Sequence, residues 1–183
     1  MPGRARSWTV RALVLILSGL ATGAAVLAFS SRGDLEQARS RVDTAWEQLR
    51  PGLDDRYLSL GEAGIAARER LGDDQGLLAD LAGGLEQWEA AGQRPVETQA
   101  TLANRLEGYG SRLRAMVEGT PRLRSSDEVT GALAEMDESD PEAARAGYNQ
   151  AVADYENVRG GFPRRLVAGA LGFDSRRTVE FPT

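Results

Sequence analysis

The chain has 183 residues and a formal net charge of −5, and it contains neither Cys nor His. These absences exclude disulfides, thiolate nucleophiles, Cys-ligated metal sites and every catalytic scheme that needs an imidazole base. Residues 1–32 hold four Arg and no acid, residues 33–158 hold 13 Arg against 25 acids, and residues 159–183 hold five Arg against two acids. The acidic middle argues against nucleic acid as a partner, because its binders need a basic surface.

An uncharged apolar run lies near the start of the chain, from Ala12 to Phe29. Extended to Ser31 it covers about 30 Å as a helix, which matches the hydrocarbon thickness of a bilayer. We therefore predict a membrane anchor over residues 12–31. The residues that define it are Ala12, Leu13, Leu15, Ile16, Leu17, Gly19, Gly23, Val26, Leu27 and Phe29.

The charges that flank this run predict its direction. Three Arg precede it and one follows closely, so the positive-inside rule places the N-terminus in the cytoplasm and the rest outside the plasma membrane. A cleaved signal peptide remains the alternative, because the small residues at 21–25 suit a peptidase. Gly19 and Gly23 form a G-x-x-x-G pair, a spacing that lets two membrane helices approach closely.

Helical periodicity dominates the remaining sequence. Apolar residues at three-four spacing over 35–49 predict a helix continuing from the anchor, and Pro51-Gly52 is expected to interrupt it. Further helices are predicted over 53–71, 77–88, 96–118, 126–136 and 141–158, with Asp73-Asp74 and Asp140 as caps and Pro141 at a first helical position. Almost no stretch alternates with period two. The predicted fold is all-α: an N-terminal transmembrane helix followed by an antiparallel bundle of about four long helices.

This reading divides the chain into four segments. They are a cytoplasmic basic segment (1–11), the anchor (12–31), the helical bundle (32–160) and a basic, apolar C-terminal segment (161–183). Eight glycines lie inside the predicted helices. Each costs up to about 1 kcal/mol relative to Ala, which predicts a soft bundle unless the glycines permit close helix packing.

Several short motifs resemble the signature of the LemA family. Residues 148–158 read Y-N-Q-A-V-A-D-Y-E-N-V and are followed by F-P and L-G-F, while V-D-T-A-W stands just after the anchor and T-P-R-L-R follows the third helix. The matching residues are Val42, Asp43, Trp46, Pro121, Tyr148, Asn149, Tyr155, Phe162, Pro163, Gly172 and Phe173. Residues 56–62 keep little of the family's R-R-x-D-L-I-P-N-L-V segment, so the chain resembles a divergent bacterial member. The resemblance implies a single-pass membrane protein with a helical bundle and no established enzymatic activity.

Three residues of the last long helix are the first candidates for a site. Tyr148, Asn149 and Tyr155 combine an amide with two phenols, which can make a specific polar contact inside a bundle or act as ordinary core anchors. Asp43 is expected to pair with an Arg of another helix. The adjacent acids at 54–55 and 73–74 are interpreted as helix caps rather than metal ligands. No catalytic, metal-binding or cofactor-binding residue is predicted.

The basic C-terminal segment suggests a lipid contact. In an up-down-up-down bundle the fourth helix returns toward the membrane, so Arg164, Arg165, Arg176 and Arg177 are candidates for contact with headgroups. The alternative is a segment that packs on the bundle. Taken together, the sequence predicts a non-enzymatic envelope scaffold or protein-interaction module that self-associates or binds an unidentified membrane or envelope protein. A ligand- or peptide-binding sensor domain at the membrane is the second hypothesis.

Overall fold

The structure is a computed structural model that describes residues 4–72 and 76–181, with side chains described from Ser30 onward. Over these residues the chain forms helices and no strand, so the all-α prediction is confirmed. The helices are α1 (Arg4–Leu71), α2 (Gly76–Ala90), α3 (Val96–Gly119), α4 (Pro121–Arg124), α5 (Asp127–Glu138), α6 (Glu142–Gly160) and α7 (Arg164–Leu171). Asp73 and Asp74, which were expected to cap a helix, lie outside the described residues.

The predicted break at Pro51-Gly52 is wrong, because α1 runs through both residues. Pro51 is exposed, and so is Glu47, whose carbonyl loses the hydrogen bond that a non-proline residue would donate. Water can satisfy that carbonyl on the exposed side. The opposite side carries Leu49 and Leu53, both fully buried, so packing against the core holds the helix together across the proline.

The chain divides into two compact units. Unit 1 comprises Met1–Ser40 and Asp154–Ser175, and unit 2 comprises Arg41–Ala153 and Arg176–Thr183. The chain therefore leaves unit 2 within α6, contributes α7 to unit 1, and re-enters unit 2 at Arg176.

Unit 2 is a helical bundle with alternating helix directions. The α1 portion lies antiparallel to α2, parallel to α3 and antiparallel to α5 and α6. Pairs of contacting residues show these directions. For α2 they are Gly61 with Leu85 and Gly64 with Leu81, and for α3 they are Trp46 with Gln99 and Arg56 with Glu107. For α5 and α6, taken in chain order, they are Arg70 with Glu128 and Trp46 with Tyr148. Helices α5 and α6 follow one another in the same direction and together form the fourth element, so unit 2 has four elements with α4 as a connector, as the sequence predicts.

The core of unit 2 contains large side chains from every long helix. Those that are almost fully buried are Trp46, Leu49, Leu53, Tyr57, Leu60, Leu81, Trp88, Leu106, Leu113, Met136, Tyr148 and Val152. Burial of such side chains stabilises each helix by about 1.5–3 kcal/mol per residue. Pro141 precedes α6 instead of starting it, and its carbonyl accepts the Arg145 N–H at 2.8 Å.

Unit 1 has a smaller core formed by Leu35, Ala38, Tyr155 and Ala168. Helix α7 ends at Gly172, whose φ of 71° is a left-handed conformation that glycine adopts without strain. Among the residues whose side chains are described, no helix contains an apolar stretch long enough to cross a bilayer. The side chains of the predicted anchor lie outside that set, apart from Ser30 and Ser31.

Candidate functional site

The last described residues of the chain lie on unit 2, and one asparagine bridges the N–H and the carbonyl of a single residue there, which indicates an extended backbone. We call residues 176–181 the C-terminal segment, and the residues that hold it the tail groove: Asp43, Arg56, Glu97, Asn104, Arg145, Tyr148 and Asn149. The segment carries no helix or strand, yet Val179 is completely buried and Arg176 is buried as well. An extended segment with buried side chains must satisfy its backbone groups elsewhere, and the tail groove supplies those partners.

Two asparagines bind the backbone of the C-terminal segment. Asn149 on α6 donates to the carbonyl of Val179 and accepts its N–H, both at 2.9 Å. Asn104 on α3 donates to the carbonyl of Thr178 and accepts the N–H of Glu180, again both at 2.9 Å. A side-chain amide offers one donor and one acceptor group, so each asparagine substitutes for a neighbouring strand at one point of the segment.

Tyr148 adds a third backbone contact, because its hydroxyl donates to the carbonyl of Arg177 at 2.7 Å. Burial, and to a smaller extent the charge of Asp43, raises the pKa of Tyr148 well above its ordinary value. The phenol therefore stays protonated and keeps its donor at any physiological pH. Of the two interpretations of these residues, Tyr148 fits both, since it is fully buried and also makes a polar contact, and Asn149 makes a specific polar contact; the partner is the C-terminal segment and not another helix.

An acidic pocket receives the first side chain of the segment. The guanidinium of Arg176 lies 3.5 Å from a carboxylate oxygen of Asp43 and also pairs with Glu97, and only 4% of its side chain is exposed. Asp43 thus pairs with an Arg as expected, but one from the C-terminal segment. Arg176 was a candidate for lipid contact, and this part of the prediction is wrong because its charge is buried against two carboxylates within the protein.

Two arginines enclose the last described side chain of the segment. The guanidinium carbons of Arg56 and Arg145 lie 4.4 and 4.3 Å from the ring centroid of Phe181, within the range of cation–π interactions. Arg56 is itself fixed by two hydrogen bonds to Glu107, of 2.9 and 3.1 Å. Burial lowers the pKa of Arg56, but the hydrogen bond and charge of Glu107 together with the charges of Asp140 and Asp137 outweigh it, so this pKa is raised above its ordinary value.

An aromatic cluster beneath the groove positions the helices that form it. Trp46 contacts Tyr148 and Trp88 edge-on, with centroid separations of 5.2 and 6.3 Å, and Tyr57 meets Trp88 at 4.9 Å. Trp46 also donates to Gln99 at 3.0 Å, which links α1 to α3. The Trp46 motif and the Tyr148 motif therefore meet in one contact.

The remaining motif residues lie elsewhere. Val42 is fully buried, and Pro121 is the first residue of α4. In unit 1, Tyr155 donates to the carbonyl of Asp174 at 2.8 Å, so it fixes the chain just before the C-terminal segment. Phe162 is 85% exposed and precedes Pro163, the N-cap of α7, and Phe173 after Gly172 is half-buried.

The other candidates for lipid contact differ in exposure. In unit 1, Arg164 pairs with Asp34 at 2.9 Å, whereas Arg165 is exposed. In unit 2, the side chain of Arg177 is exposed while its carbonyl contacts Tyr148. Arg164 is therefore partly neutralised, and Arg165 and Arg177 keep their charges in solvent.

One of the acids interpreted as caps, Asp54, has another role in the structure. Asp54 lies inside the continuous α1, where it accepts a hydrogen bond from the indole of Trp88 at 2.8 Å, so the capping prediction for 54–55 is wrong. Within the described part of the chain, no three or more Asp or Glu residues are arranged to hold a metal ion. The chemistry available at the tail groove is hydrogen bonding, ion pairing and aromatic packing, which together recognise a peptide.

Several groove residues were not identified from the sequence, namely Arg56, Glu97, Asn104, Arg145 and, in the segment, Val179 and Phe181. A signal was present in the helical spacing. Glu97 and Asn104 are seven residues apart on α3, and Arg145 and Asn149 are four apart on α6, so each pair occupies one helix face. Polar residues repeated on one face are also typical of solvated helices, and the sequence alone offers no way to distinguish the two.

A comparison with protein families agrees with the motifs from Pro121 onward. A sequence model described as the LemA family matches residues 63–183, which include α2 to α7, the C-terminal segment and all of the tail groove except Asp43 and Arg56. No curated protein matches the chain.

Proposed function

Because the chain belongs to the LemA family, we propose that it is a membrane-anchored interaction module of the cell envelope whose tail groove binds an extended polypeptide segment. The observation that carries this proposal is the pair of asparagines, each of which binds both a donor and an acceptor of the segment's backbone. Backbone pairing of this kind supplies affinity for extended peptides in general, as it does where a peptide adds to a sheet edge.

Selectivity comes from the side chains between the backbone contacts. The acidic pocket favours Arg at the first position, the fully buried site favours Val at the fourth, and the two guanidinium groups favour an aromatic ring at the sixth. The side chains at positions two and five, Arg177 and Glu180, are exposed and add little. The groove therefore selects segments of the pattern Arg-x-x-Val-x-Phe.

The membrane part of the proposal is supported by the N-terminal apolar run and its flanking arginines. A second feature lies in unit 1, where Phe162, Leu166 and Leu171 are exposed at 85%, 64% and 49% beside the exposed Arg165. Exposed apolar side chains with a basic neighbour suit the headgroup region of an anionic bilayer. We therefore include a lipid contact through α7, with Arg165 in place of the full set of four arginines.

A binding measurement with the full chain tests the groove. Val179→Asp buries a charge in the C-terminal segment and should release it, leaving the groove open. A fluorescent peptide with the sequence of residues 172–183 is then added in detergent micelles, and its anisotropy is measured. We expect saturable binding to the variant chain and at least tenfold weaker binding to the unaltered chain, whose groove is occupied.

Two controls define the result. The same peptide carrying Val179→Asp should not bind, and a chain that combines Val179→Asp with Asn104→Ala and Asn149→Ala should bind neither peptide. Far-ultraviolet circular dichroism verifies that each variant keeps its helices. If the open groove does not bind the unaltered peptide, the proposed function is wrong.

A further inference from the structure

We infer that the tail groove accepts the C-terminal segment of a second copy of this chain, so that the anchored protein associates with itself by exchanging segments 176–181. This inference rests on the proposed function, because it names the occupant of the same groove. The chain itself supplies the one segment known to fit. Arg176, Val179 and Phe181 occupy the three side-chain sites, and the backbone from Arg177 to Glu180 contacts Tyr148, Asn104 and Asn149.

The contacts in the groove do not depend on which copy provides the segment. Every hydrogen bond, ion pair and ring contact of residues 176–181 would form identically with a segment from a neighbour. The balance between the closed monomer and the exchanged form therefore depends on the residues that connect the segment to the rest of its own chain and on how often two copies meet.

Those connecting residues can accommodate the change. Gly172 has a positive φ, and Asp174 and Ser175 are exposed, so the link between α7 and the segment has few side-chain contacts to lose. The hydroxyl of Tyr155 fixes the carbonyl of Asp174, which places the turning point between Asp174 and Arg176. This is also where the chain passes from unit 1 to unit 2.

Confinement in one bilayer makes exchange more favourable than it would be between copies in solution. Two copies anchored in one bilayer meet at a higher effective concentration than two copies in solution, and a linked segment gains from that proximity without any new contact. The argument accounts for the self-association expected from the sequence through a defined set of residues.

Complementary variants of the full chain test the exchange. One copy carries Asn104→Ala and Asn149→Ala, which damage its groove but leave its segment intact. The other copy carries Val179→Asp, which damages its segment but leaves its groove intact. Neither can close on itself, and between them only one exchanged pairing exists. The two copies carry different affinity tags, are produced together, and are purified through one tag in detergent.

We expect the second tag to be recovered at least tenfold more from this pair than from a control pair in which both copies have damaged grooves. Any association through the Gly19 and Gly23 positions is the same in both pairs and cancels. Equal recovery from the two pairs overturns the exchange. If the open groove binds the peptide but the second tag is recovered equally from the two pairs, the exchange is wrong and the proposed function stands. If the open groove does not bind the peptide, the exchange and the proposed function are both wrong.

A second measurement avoids the risk that a groove variant does not fold. A photo-crosslinking amino acid replaces Phe181 in an otherwise unaltered chain, where its ring lies between Arg56 and Arg145. Illumination of membranes that hold two differently tagged copies should give crosslinks between the tags. Crosslinks confined to single chains would show that the segment stays in its own groove. The same amino acid at the exposed Glu180 serves as the control for random encounters.

Discussion

The side-chain amide of Asn149 binds both backbone groups of Val179, donating to its carbonyl and accepting its N–H at 2.9 Å each. Because the side chain of Val179 is fully buried, water cannot replace these bonds easily. This relationship joins α6 to a segment 30 residues further along the chain. Asn149 therefore binds the backbone of the C-terminal segment, a role that helical spacing alone does not predict.

Asn149→Ala should destabilise the protein, because it leaves a donor and an acceptor of Val179 without partners. We expect a loss of about 1–3 kcal/mol in the free energy of unfolding. Urea unfolding of the full chain in detergent, followed by circular dichroism, measures it. Asn157→Ala is the matched control, since Asn157 is an exposed asparagine of the same helix. Equal effects of the two substitutions would contradict the role of Asn149.

Alkaline pH should destabilise the bundle through Tyr57 and Tyr148. Burial, followed by the charge of Glu107 for Tyr57 and of Asp43 for Tyr148, raises the pKa of both phenols above the ordinary value of 10.0. The unfolded chain loses these protons near pH 10 while the folded chain keeps them, so stability falls as pH rises beyond that value.

Each buried phenol should then contribute about 1.4 kcal/mol of lost stability per pH unit above 10. Thermal unfolding on the alkaline side of neutrality gives the slope, and ultraviolet absorbance reports phenolate formation. Tyr148→Phe should reduce the alkaline slope, although it also removes the hydrogen bond to the Arg177 carbonyl. Phenolate absorbance that appears fully before unfolding would refute the pKa assignments.

Breaking the buried ion pair of Arg56 and Glu107 should be costly. Both side chains are at most 4% exposed, so Glu107→Gln leaves a buried guanidinium without its counter-charge. We expect a loss of about 3–5 kcal/mol. Glu128→Gln is the control, because its pair with Arg70 is exposed and is worth about 0–1 kcal/mol. Chemical denaturation compares the two, and similar losses would show that burial does not govern the pair.

Replacing a helical glycine by Ala should destabilise or stabilise the protein according to the space available for the added Cβ. A Cβ at Gly52 would meet the Cβ of Pro141 at 2.6 Å, whereas a Cβ at Gly108 would have no neighbour within 4 Å. Gly52→Ala should therefore destabilise unit 2 because the proline ring must move. Gly108→Ala should stabilise α3 by about 0.5–1 kcal/mol through its higher helix propensity. Melting temperatures that shift in the same direction for both variants would contradict this division.

A lipid contact of α7 should be visible with a dye. The chain has no Cys, so Leu166→Cys creates a single labelling site on an exposed apolar side chain. A polarity-sensitive dye there should shift to shorter wavelength when the full chain is placed in nanodiscs with anionic lipid. The shift should decrease with zwitterionic lipid and with Arg165→Glu. If the emission wavelength is the same with anionic lipid, with zwitterionic lipid and in the Arg165→Glu variant, α7 does not contact lipid and this part of the proposed function is wrong.

The fold was largely predictable because helical periodicity is a local property. The predicted helices over 96–118 and 141–158 match α3 and α6 to within two residues at each end, since both predictions depend on residues a few positions apart. The error at Pro51 arose where local and tertiary effects conflict. Proline disfavours a helix locally, but the buried Leu49 and Leu53 on either side of it stabilise the continuous helix.

The sequence by itself determined the helical class of the described residues, the family, and the interest of Tyr148 and Asn149, since these follow from spacing and motif. Only the tertiary structure decided what those residues contact. Asn104, Asn149 and Val179 lie far apart in the chain, and an extended segment has no periodicity that shows which surface it lies on. The burial of Arg176 against Asp43 and Glu97 likewise depends on where three separate elements meet, which charge and hydropathy along the chain do not encode.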